Sequence, residues 1–240
     1  METSLYVALS GQLALERRLD TVANNVANSN TPGFRAENIT FESILSRGSV
    51  AYSNEGKTSF SRQAGSLVQT DNPLDVALQG NAYMAIGTAN GAAYTRDGRM
   101  RVSANGDLET LTGHPVFDSG GAPIQINLAL GPVEIARNGA ISQNGNRIGQ
   151  IGLFRLPEDA SLARGPDVSV VPDKPAEPLV DFNDAGVVQG YIEGSNVNPI
   201  LEMTRLIAVS RAFESLSASI DQSDRKLNEA IGTLASGRRG

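Results

Sequence analysis

The chain has 240 residues, of which 40% are hydrophobic, so it can bury a core in one large or two modest domains. Its net charge is −6, and the sequence shows no basic stripe that could displace counterions. Both observations argue against nucleic-acid binding. It contains no cysteine, which excludes disulfides and thiolate chemistry, and no stretch approaches the ~20 apolar residues of a membrane-spanning helix.

The first predicted element is a helix whose apolar residues recur at steps of three and four from Leu5, as in a heptad seam. The segment Asn24–Phe34, "NNVANSNTPGF", should end this helix. Asn and Ser side chains compete with helical backbone pairing, Pro32 disfavours helix at the residue before it, and Gly33 permits a positive φ. The seam consists of Leu5, Ala8, Leu15, Leu19, Val22 and Val26, interrupted by Gln12.

The centre of the chain predicts an antiparallel β-rich domain. Short apolar or alternating runs such as "LDVALQG" and "IQINLAL" are separated at short intervals by Asp-Gly, Asn-Gly and Gly-Gly turns, a pattern typical of β-hairpins. We assign residues 67–196 to this domain. The polar, Ser-rich residues 37–66 are predicted to form an extended linker, and the Pro-rich span Pro157–Pro178 a long irregular connection.

A second helix is predicted from about Pro199 to Leu234. Asn198 is the candidate N-cap, and Pro199 suits the first helical position. Glu202 places a negative charge in the first turn, where the helix dipole favours it. The apolar residues keep the spacing of the first helix and comprise Leu206, Val209, Phe213, Leu216, Ile220, Leu227, Ala230 and Leu234, interrupted by Ser223.

Each terminal helix has an apolar seam that it cannot bury alone, and the sequence predicts no third helix. We therefore expect the helices to pair as a coiled-coil-like core domain formed by residues 1–36 and 197–240. The alternative is that both lie separately on the β-rich domain. The predicted fold class is α+β, mainly β. Pairing leaves outer helix faces suited to contacts with further copies, at Ala8, Leu13, Ala14, Ala23, Ala27 and Ile207.

No group of residues in the sequence has the composition and spacing of a catalytic, metal or cofactor site. His114 is the single histidine and stands in the turn-like "TGHPV", where a surface role is favoured over catalysis. Lys57 follows no Walker-type glycine loop, and the segment after Asp181 lacks two of the ligands that a calcium loop requires. We therefore predict no enzyme activity, no cofactor and no bound metal.

Four segments of the sequence form an ordered set of motifs. Near the N-terminus, "SGQLALERRLDTVANNVANSNTPGFR" predicts a helix followed by a Gly-Phe turn. The middle carries "NPLDVALQGNAYMAI" and "YTRDGRMRVSANGDLETLTGHPV", and the C-terminal region carries "GYIEGSNVNPILEMTRLIAVSRAFES". In this order the four motifs resemble those of the flagellar basal-body rod and hook family. The short connection after Phe34 and the sequence "EGSNVNP" resemble the proximal rod members of the family.

The resemblance implies a structural subunit of the proximal rod, part of the drive shaft that transmits torque. It implies assembly with other proximal and distal rod subunits in a helical, tubular complex, without nucleic acid or membrane insertion. It also implies export by the flagellar type III apparatus without a cleaved signal peptide, and assembly in the periplasm. The residues expected to form assembly contacts are Leu5, Leu15, Leu19, Val22, Asn24, Asn25, Val26, Asn28, Phe34, Asn196, Asn198, Leu206, Val209, Phe213, Leu216, Ile220 and Leu227.

Three other functions remain open at this stage. Distal rod proteins are similar too, although they usually carry a longer connecting segment. A soluble export or cap module would bind one partner and then dissociate, whereas a structural subunit would stay in a stable assembly. A cell-wall hydrolase acting where the rod crosses peptidoglycan is disfavoured, because the sequence offers no catalytic constellation.

Overall fold

The computed structural model describes residues 2–40, 42–45, 51–54 and 58–236. The chain divides into two compact units, each built from segments that are far apart in the sequence. The helical unit comprises Met1–Ala27, Asn38–Lys57 and Asn198–Gly240. The β unit comprises Asn28–Glu37 and Thr58–Val197.

Two α-helices, a single turn of 3-10 helix at Leu128–Leu130 and a series of short strands form the regular structure of the described chain. The helices are α1, Glu2–Ala27, and α2, Pro199–Ser236. The strands are β1 Glu37–Ile39, β2 Glu42–Leu45, β3 Ala51–Asn54, β4 Thr58–Phe60, β5 Leu67–Gln69, β6 Val76–Gln79, β7 Tyr83–Thr88, β8 Gly91–Thr95, β9 Met100–Val102, β10 Leu108–Thr110, β11 Val133–Ile135, β12 Ala140–Gln143, β13 Asn146–Gln150, β14 Leu153–Arg155, β15 Leu162–Arg164, β16 Val170–Pro172, β17 Glu177–Pro178, β18 Gly186–Gln189 and β19 Tyr191–Glu193.

The helical unit contains the antiparallel pair of α1 and α2 and the β2–β3 hairpin. Helix α1 ends at Ala27, inside the Asn-rich segment, and α2 begins at Pro199, so both predicted boundaries are confirmed. The Asn198 side-chain oxygen accepts a hydrogen bond from Leu201 N over 3.1 Å, which confirms Asn198 as the N-cap. Neither described helix has the combined length and apolarity that a membrane span requires.

The β unit is built from antiparallel pairs, as predicted. Its six-stranded sheet has the order β15–β16–β8–β7–β14–β17, and a three-stranded sheet has the order β11–β12–β13. Two-stranded sheets join β9 with β10, β6 with β18, and β5 with β19. The last two pairings hold the beginning of the β-rich region beside its end.

The β12–β13 hairpin shows how local sequence sets this topology. Its two-residue loop is Asn144-Gly145, and φ is +51° at Asn144 and +77° at Gly145. A type I′ turn needs positive φ at both central positions, which Asn and Gly adopt more readily than other residues. The Asn-Gly signal in the sequence is therefore confirmed at this hairpin.

The prediction that Pro157–Pro178 forms a long irregular connection is wrong. This span contains β15 and β17, the two edge strands of the six-stranded sheet, and β16, which lies between β15 and β8. The strands have only two or three residues each, too few for an alternating pattern to be recognised in the sequence. Their partners in the sheet stabilise them: Val170, which is buried, pairs with Tyr94 of β8.

Residues 37–66, for which the sequence predicts an extended linker, contain β1, β2, β3 and β4 among the described residues. Residues 41, 46–50 and 55–57 of this stretch lie outside the described chain.

The hydrophobic core of the β unit lies between its sheets and loops. Small and branched aliphatic side chains dominate it, in keeping with a sequence that has few aromatic residues. Fully buried members include Val76, Leu78, Met84, Ile86, Met100, Leu108, Val116, Ile141 and Ile151.

Candidate assembly interface

The predicted seams face each other in the helical unit. Val22 of α1 and Val209 of α2 are buried, whereas the other described seam residues are partly buried. Gly11 marks a close approach, since a Cβ placed there would lie 3.4 Å from Leu216 Cδ2. Gln12, the polar interruption of the first seam, donates from Nε2 to Ser217 Oγ over 3.4 Å. The partly buried apolar members are Ala8, Leu15, Leu19, Val26, Leu206, Phe213, Leu216 and Ile220.

A buried polar pair lies at one end of this seam. Asn25 Nδ2 donates to Glu202 Oε2 over 3.4 Å, and both side chains are buried. Glu202 also accepts from Arg205 one helical turn further on, and its position in the first turn of α2 places its charge near the positive end of the helix dipole. Because a shift in register would leave the buried Glu202 Oε2 without the Asn25 donor, this contact favours one register of the helices.

Other apolar side chains of the helices are exposed. On α1, Leu9 and Leu13 are adjacent on one helix face, and Leu13 is 50% exposed. On α2, Ile200, Met203 and Ile207 share a face, and Ile207 is 55% exposed. Rows of exposed aliphatic residues at helical spacing are typical of surfaces that pack against further helices.

In the β unit, the segment after α1 forms a tight turn. Thr31 N donates to Asn28 O over 3.1 Å, and Thr31 Oγ1 donates to Asn28 Oδ1 over 3.1 Å. Gly33 follows with φ of +72°, and a Cβ there would lie 2.3 Å from Asp97 N. Phe34, which is fully buried, completes the turn. The glycine is therefore required both for its backbone conformation and for its close packing.

Asn196 connects two chain segments of the β unit. Its Oδ1 accepts from Ala36 N over 2.7 Å, and its Nδ2 donates to Gln63 O over 2.7 Å. The amide oxygen and the amide nitrogen of Asn196 thus each satisfy a backbone group that no strand pairing satisfies.

Glu193 lies at the centre of a buried ionic network in the same unit. Its Oε1 lies 2.8 Å from Arg35 Nη2, and its Oε2 accepts from Arg96 Nε over 2.6 Å. The backbone is tied to it as well, since Gly33 N donates to Glu193 O over 2.8 Å and Gly65 N donates to Glu193 Oε1 over 2.9 Å. Burial and the nearby Arg96 lower the pKa of Arg35, although Glu193 acts in the opposite direction.

The structure brings the predicted residues together in two groups. The described seam residues and Asn25 lie in the helical unit, whereas Asn28, Phe34 and Asn196 lie in the β unit. Asn24 and Asn198 are exposed on or next to a helix. The side chains of Leu5 and Leu227 lie outside the described residues. The role of all these residues in assembly stays a prediction.

Sequence reasoning missed the ionic network. Arg35, Arg96 and Glu193 all stand inside the family-like motifs, in "PGFR", "YTRDGR" and "YIEGSN". For Arg35 and Glu193 the available signal was a charged residue between apolar or glycine neighbours, whereas Arg96 stands between Thr95 and Asp97 and gave no such signal. Their mutual contact could not be read from spacing, because the three residues are distant in sequence.

His114 has ordinary structural contacts, and Lys57 lies outside the described residues. His114 Nε2 lies 3.3 Å from Asp167 Oδ2, and His114 Nδ1 lies 3.2 Å from Gly87 O. These contacts join a hairpin turn to a neighbouring loop and a strand.

Three family profiles match the chain in sequence order. "Flagella basal body rod protein" matches residues 5–35, and "Flagellar hook protein FlgE/F/G D1 domain" matches residues 77–143. "Flagellar basal body rod FlgEFG protein C-terminal" matches residues 188–233. Each matched segment contains one member of the ionic network. Arg35 lies in the first segment, Arg96 in the second and Glu193 in the third.

Full-length relatives agree with these profiles. The chain is 48% identical over 239 residues to the flagellar basal-body rod protein FlgF of Mesorhizobium japonicum, covering 98% of this chain and 99% of that protein. It is 45% identical over 241 residues to FlgF of Rhizobium meliloti, covering 99% and 100%. Against the rod protein FlgG of Bacillus subtilis it is 30% identical over 267 residues, covering 96% and 98%. The chain therefore belongs to the flagellar basal-body rod protein family, as an FlgF-like structural subunit of the rod.

Proposed function

We propose that the chain builds the proximal part of the rod by packing its helix pair against helices of neighbouring rod subunits in a helical, tubular assembly. The observation that carries this proposal is the exposed aliphatic face on each helix, since Leu13 and Ile207 are half exposed although they lie at helical spacing with other apolar residues. Covering such faces removes apolar area from water at about 25 cal/mol per Å². Neighbouring proximal and distal rod subunits are the proposed partners.

The proximal position is supported by the relatives. Identity to FlgF proteins reaches 48% and 45%, whereas identity to the FlgG protein of Bacillus subtilis is 30%. A distal rod subunit and a soluble cap module are the alternatives that an experiment must separate from this proposal.

Export and domain organisation belong to the same proposal. The subunit leaves the cytoplasm through the flagellar type III apparatus without a cleaved signal peptide and assembles in the periplasm. The cysteine-free sequence supports this route, because an exported chain without thiols cannot form wrong disulfides in an oxidising compartment. Residues 1–36 and 197–240 act as the assembly domain, 37–66 as the connection, and 67–196 as the β-rich domain.

Cysteine labelling tests the proposed packing, because the native chain has no thiol. Ile207→Cys places a thiol on the exposed face of α2, and Val180→Cys, at a β-unit residue that is 87% exposed, is the matched control. Both thiols should react with a maleimide in the isolated subunit. In purified basal bodies the thiol at position 207 should be protected and the control should react.

Equal reactivity of position 207 in subunits and basal bodies would contradict packing through this helix face. If position 207 is protected in basal bodies, disulfide or bismaleimide cross-linking from it to neighbouring subunits identifies where along the rod the chain lies. Cross-links to distal subunits alone would support the distal alternative, and absence of the chain from basal bodies would support a dissociating cap.

A further inference from the structure

The net charge of the protein lies in its β unit. The two segments of this unit, Asn28–Glu37 and Thr58–Val197, contain sixteen Asp and Glu residues against ten Lys and Arg residues, a net charge of −6. The whole chain also has a net charge of −6, so the remaining residues are neutral as a group. Two β units therefore repel each other, over about 8 Å at physiological ionic strength. Close contact between copies of this unit is least costly where the surface has no charge.

A groove of about 540 Å³ in the β unit is such a surface. It lies between the β9–β10 turn, the segment 125–130 and the β12–β13 hairpin, and none of the residues that line it is charged. Two exposed side-chain amides, those of Asn105 and Gln125, offer hydrogen-bond donors and acceptors there. The groove thus combines apolar contact with neutral polar groups. The aliphatic part of its lining comprises Val102, Ala104, Ile126, Leu128 and Ile148.

The 3-10 turn at the edge of the groove presents two leucines to solvent. Leu128 and Leu130 are 63% and 48% exposed. The buried Gln143 holds both ends of the turn, because its Nε2 donates to Asn127 O over 3.0 Å and to Gly131 O over 2.9 Å. The exposed leucines are therefore a fixed feature of the surface. Exposed apolar residues beside an apolar groove are typical of a contact surface.

Strand β5 is a second exposed apolar surface. Among the described strands it pairs with β19 alone, so its other edge is open. Leu67 and Val68 are 49% and 47% exposed, although successive side chains of a strand point to opposite faces. Thr70 N donates to Gly190 O, and because the ladder uses alternate residues, Leu67 and Gln69 direct their backbone groups to the open edge. Such a strand can lie in a groove that supplies apolar contacts and amide hydrogen bonds.

The groove and β5 share uncharged surroundings in the sequence. Residues 119–133, which include the leucine turn, contain no charged residue, and neither do residues 63–70, which include β5. Charged residues, Lys above all, commonly protect the edge strands of natural proteins from pairing with other chains. Strand β5 lacks this protection, which favours an edge that another chain covers. Val180 is more exposed, at 87%, but it directly precedes Asp181.

We propose that β5 of one copy of the chain lies in the groove of the next copy in the rod. Identical subunits in a helical assembly meet through two different surfaces, one from each subunit, and an open edge strand and a groove form such a pair. A basic partner would bind the acidic parts of the β unit. A partner as acidic as the unit itself needs an uncharged contact, and the second copy is that partner.

This inference rests on the proposed assembly, because the contact is small. The three residues of β5 bury much less than the ~1,200 Å² of a stable protein–protein interface. The contact should form only where packing of the helical units raises the effective concentration of neighbouring β units.

Mixed disulfides between full-length chains test the contact, because the native chain has no cysteine. Cells produce one chain with Val68→Cys and an affinity tag together with an untagged chain with Leu128→Cys. Purified basal bodies treated with a mild oxidant should contain a disulfide-linked dimer of the two chains. In the matched control the tagged chain carries Val180→Cys instead, at a more exposed position, and no dimer should form.

The outcomes separate this inference from the helix packing. Protection of position 207 without a dimer between positions 68 and 128 overturns the groove contact and leaves the helix packing standing. The dimer together with a reactive thiol at position 207 supports the groove contact and contradicts packing through that helix face. Equal dimer yields from Val68→Cys and Val180→Cys would show random collision and overturn the groove contact. Absence of the chain from basal bodies overturns both proposals.

A pair of opposite charges gives an independent test. Val68→Lys and Leu128→Glu each place a charge in the proposed contact, where it would lose water. Both positions are exposed in the subunit, so neither change should lower the midpoint of thermal unfolding. Each single variant should swim in soft agar at less than about half the native rate, and the double variant should regain most of it because the two charges then face each other. Native swimming of both single variants, or no recovery in the double variant, would overturn the proposed contact.

Discussion

Arg35 Nη2 lies 2.8 Å from Glu193 Oε1, and both side chains are buried. This contact joins the end of the N-terminal family motif to the start of the C-terminal one within the β unit. The two motifs are thus coupled through an ion pair as well as through their helices. Because Arg96 binds the other oxygen of Glu193, the carboxylate cannot be lost without leaving two buried cations.

The first prediction concerns the charge of Glu193. Glu193→Gln keeps the shape of the side chain but leaves Arg35 and Arg96 without their carboxylate. We expect a loss of about 3–5 kcal/mol in the free energy of unfolding, measured by urea denaturation. Glu158→Gln is the control, because Glu158 is 90% exposed and lies 3.9 Å from Arg62, a surface pair worth about 0–1 kcal/mol. Equal effects of the two substitutions would contradict the central role of Glu193.

The second prediction separates backbone strain from close packing at Gly33. Gly33→Ala adds a Cβ that would lie 2.3 Å from Asp97 N, at a φ of +72°. Gly121→Ala adds one at a φ of +83° with no atom within 4 Å. The control should lose about 1–2 kcal/mol from the left-handed conformation alone, and Gly33→Ala should lose clearly more. Thermal unfolding of both variants measures the difference, and similar midpoints would show that the turn relaxes around the methyl group.

The third prediction tests the helix seam in living cells. Phe213→Asp or Leu216→Asp would put an unpaired charge between α1 and α2, at a cost of several kcal/mol, about the size of the whole gain from pairing. Cells carrying either variant should be non-motile in soft agar and lack a complete rod. Ala212→Asp, at an exposed neighbouring position of α2, is the control for charge alone. Normal motility with either seam variant would refute the seam assignment.

The fourth prediction concerns the buried polar pair of the helical unit. Asn25→Asp replaces the donor to Glu202 with a second carboxylate, so two negative charges would meet in the seam. The midpoint of thermal unfolding, followed by the helical circular dichroism signal, should be lower than that of the native chain at pH 7. This decrease in the midpoint should become smaller as the pH falls, because one shared proton restores a donor between the two carboxyls. Asn24→Asp, at the exposed neighbour on α1, should change little at either pH.

The sequence by itself determined the features that depend on neighbouring residues. The three–four spacing of apolar residues predicts both helices, and Asn198 with Pro199 defines the start of α2 because capping acts within one turn. The pair Asn144-Gly145 defines the β12–β13 turn, because turn conformation is likewise set by adjacent residues. Family membership also follows from these local motifs, since each is a short segment with its own residue pattern.

Only the tertiary structure decided the features that depend on distant residues. The strands β15, β16 and β17 are too short to have a pattern of their own and exist because neighbouring strands satisfy their backbone groups. The network of Arg35, Arg96 and Glu193 forms where three distant segments converge, and no spacing in the chain encodes that convergence. Helical and turn preferences act over a few residues, whereas ion pairing in a core depends on where the whole fold places each charge.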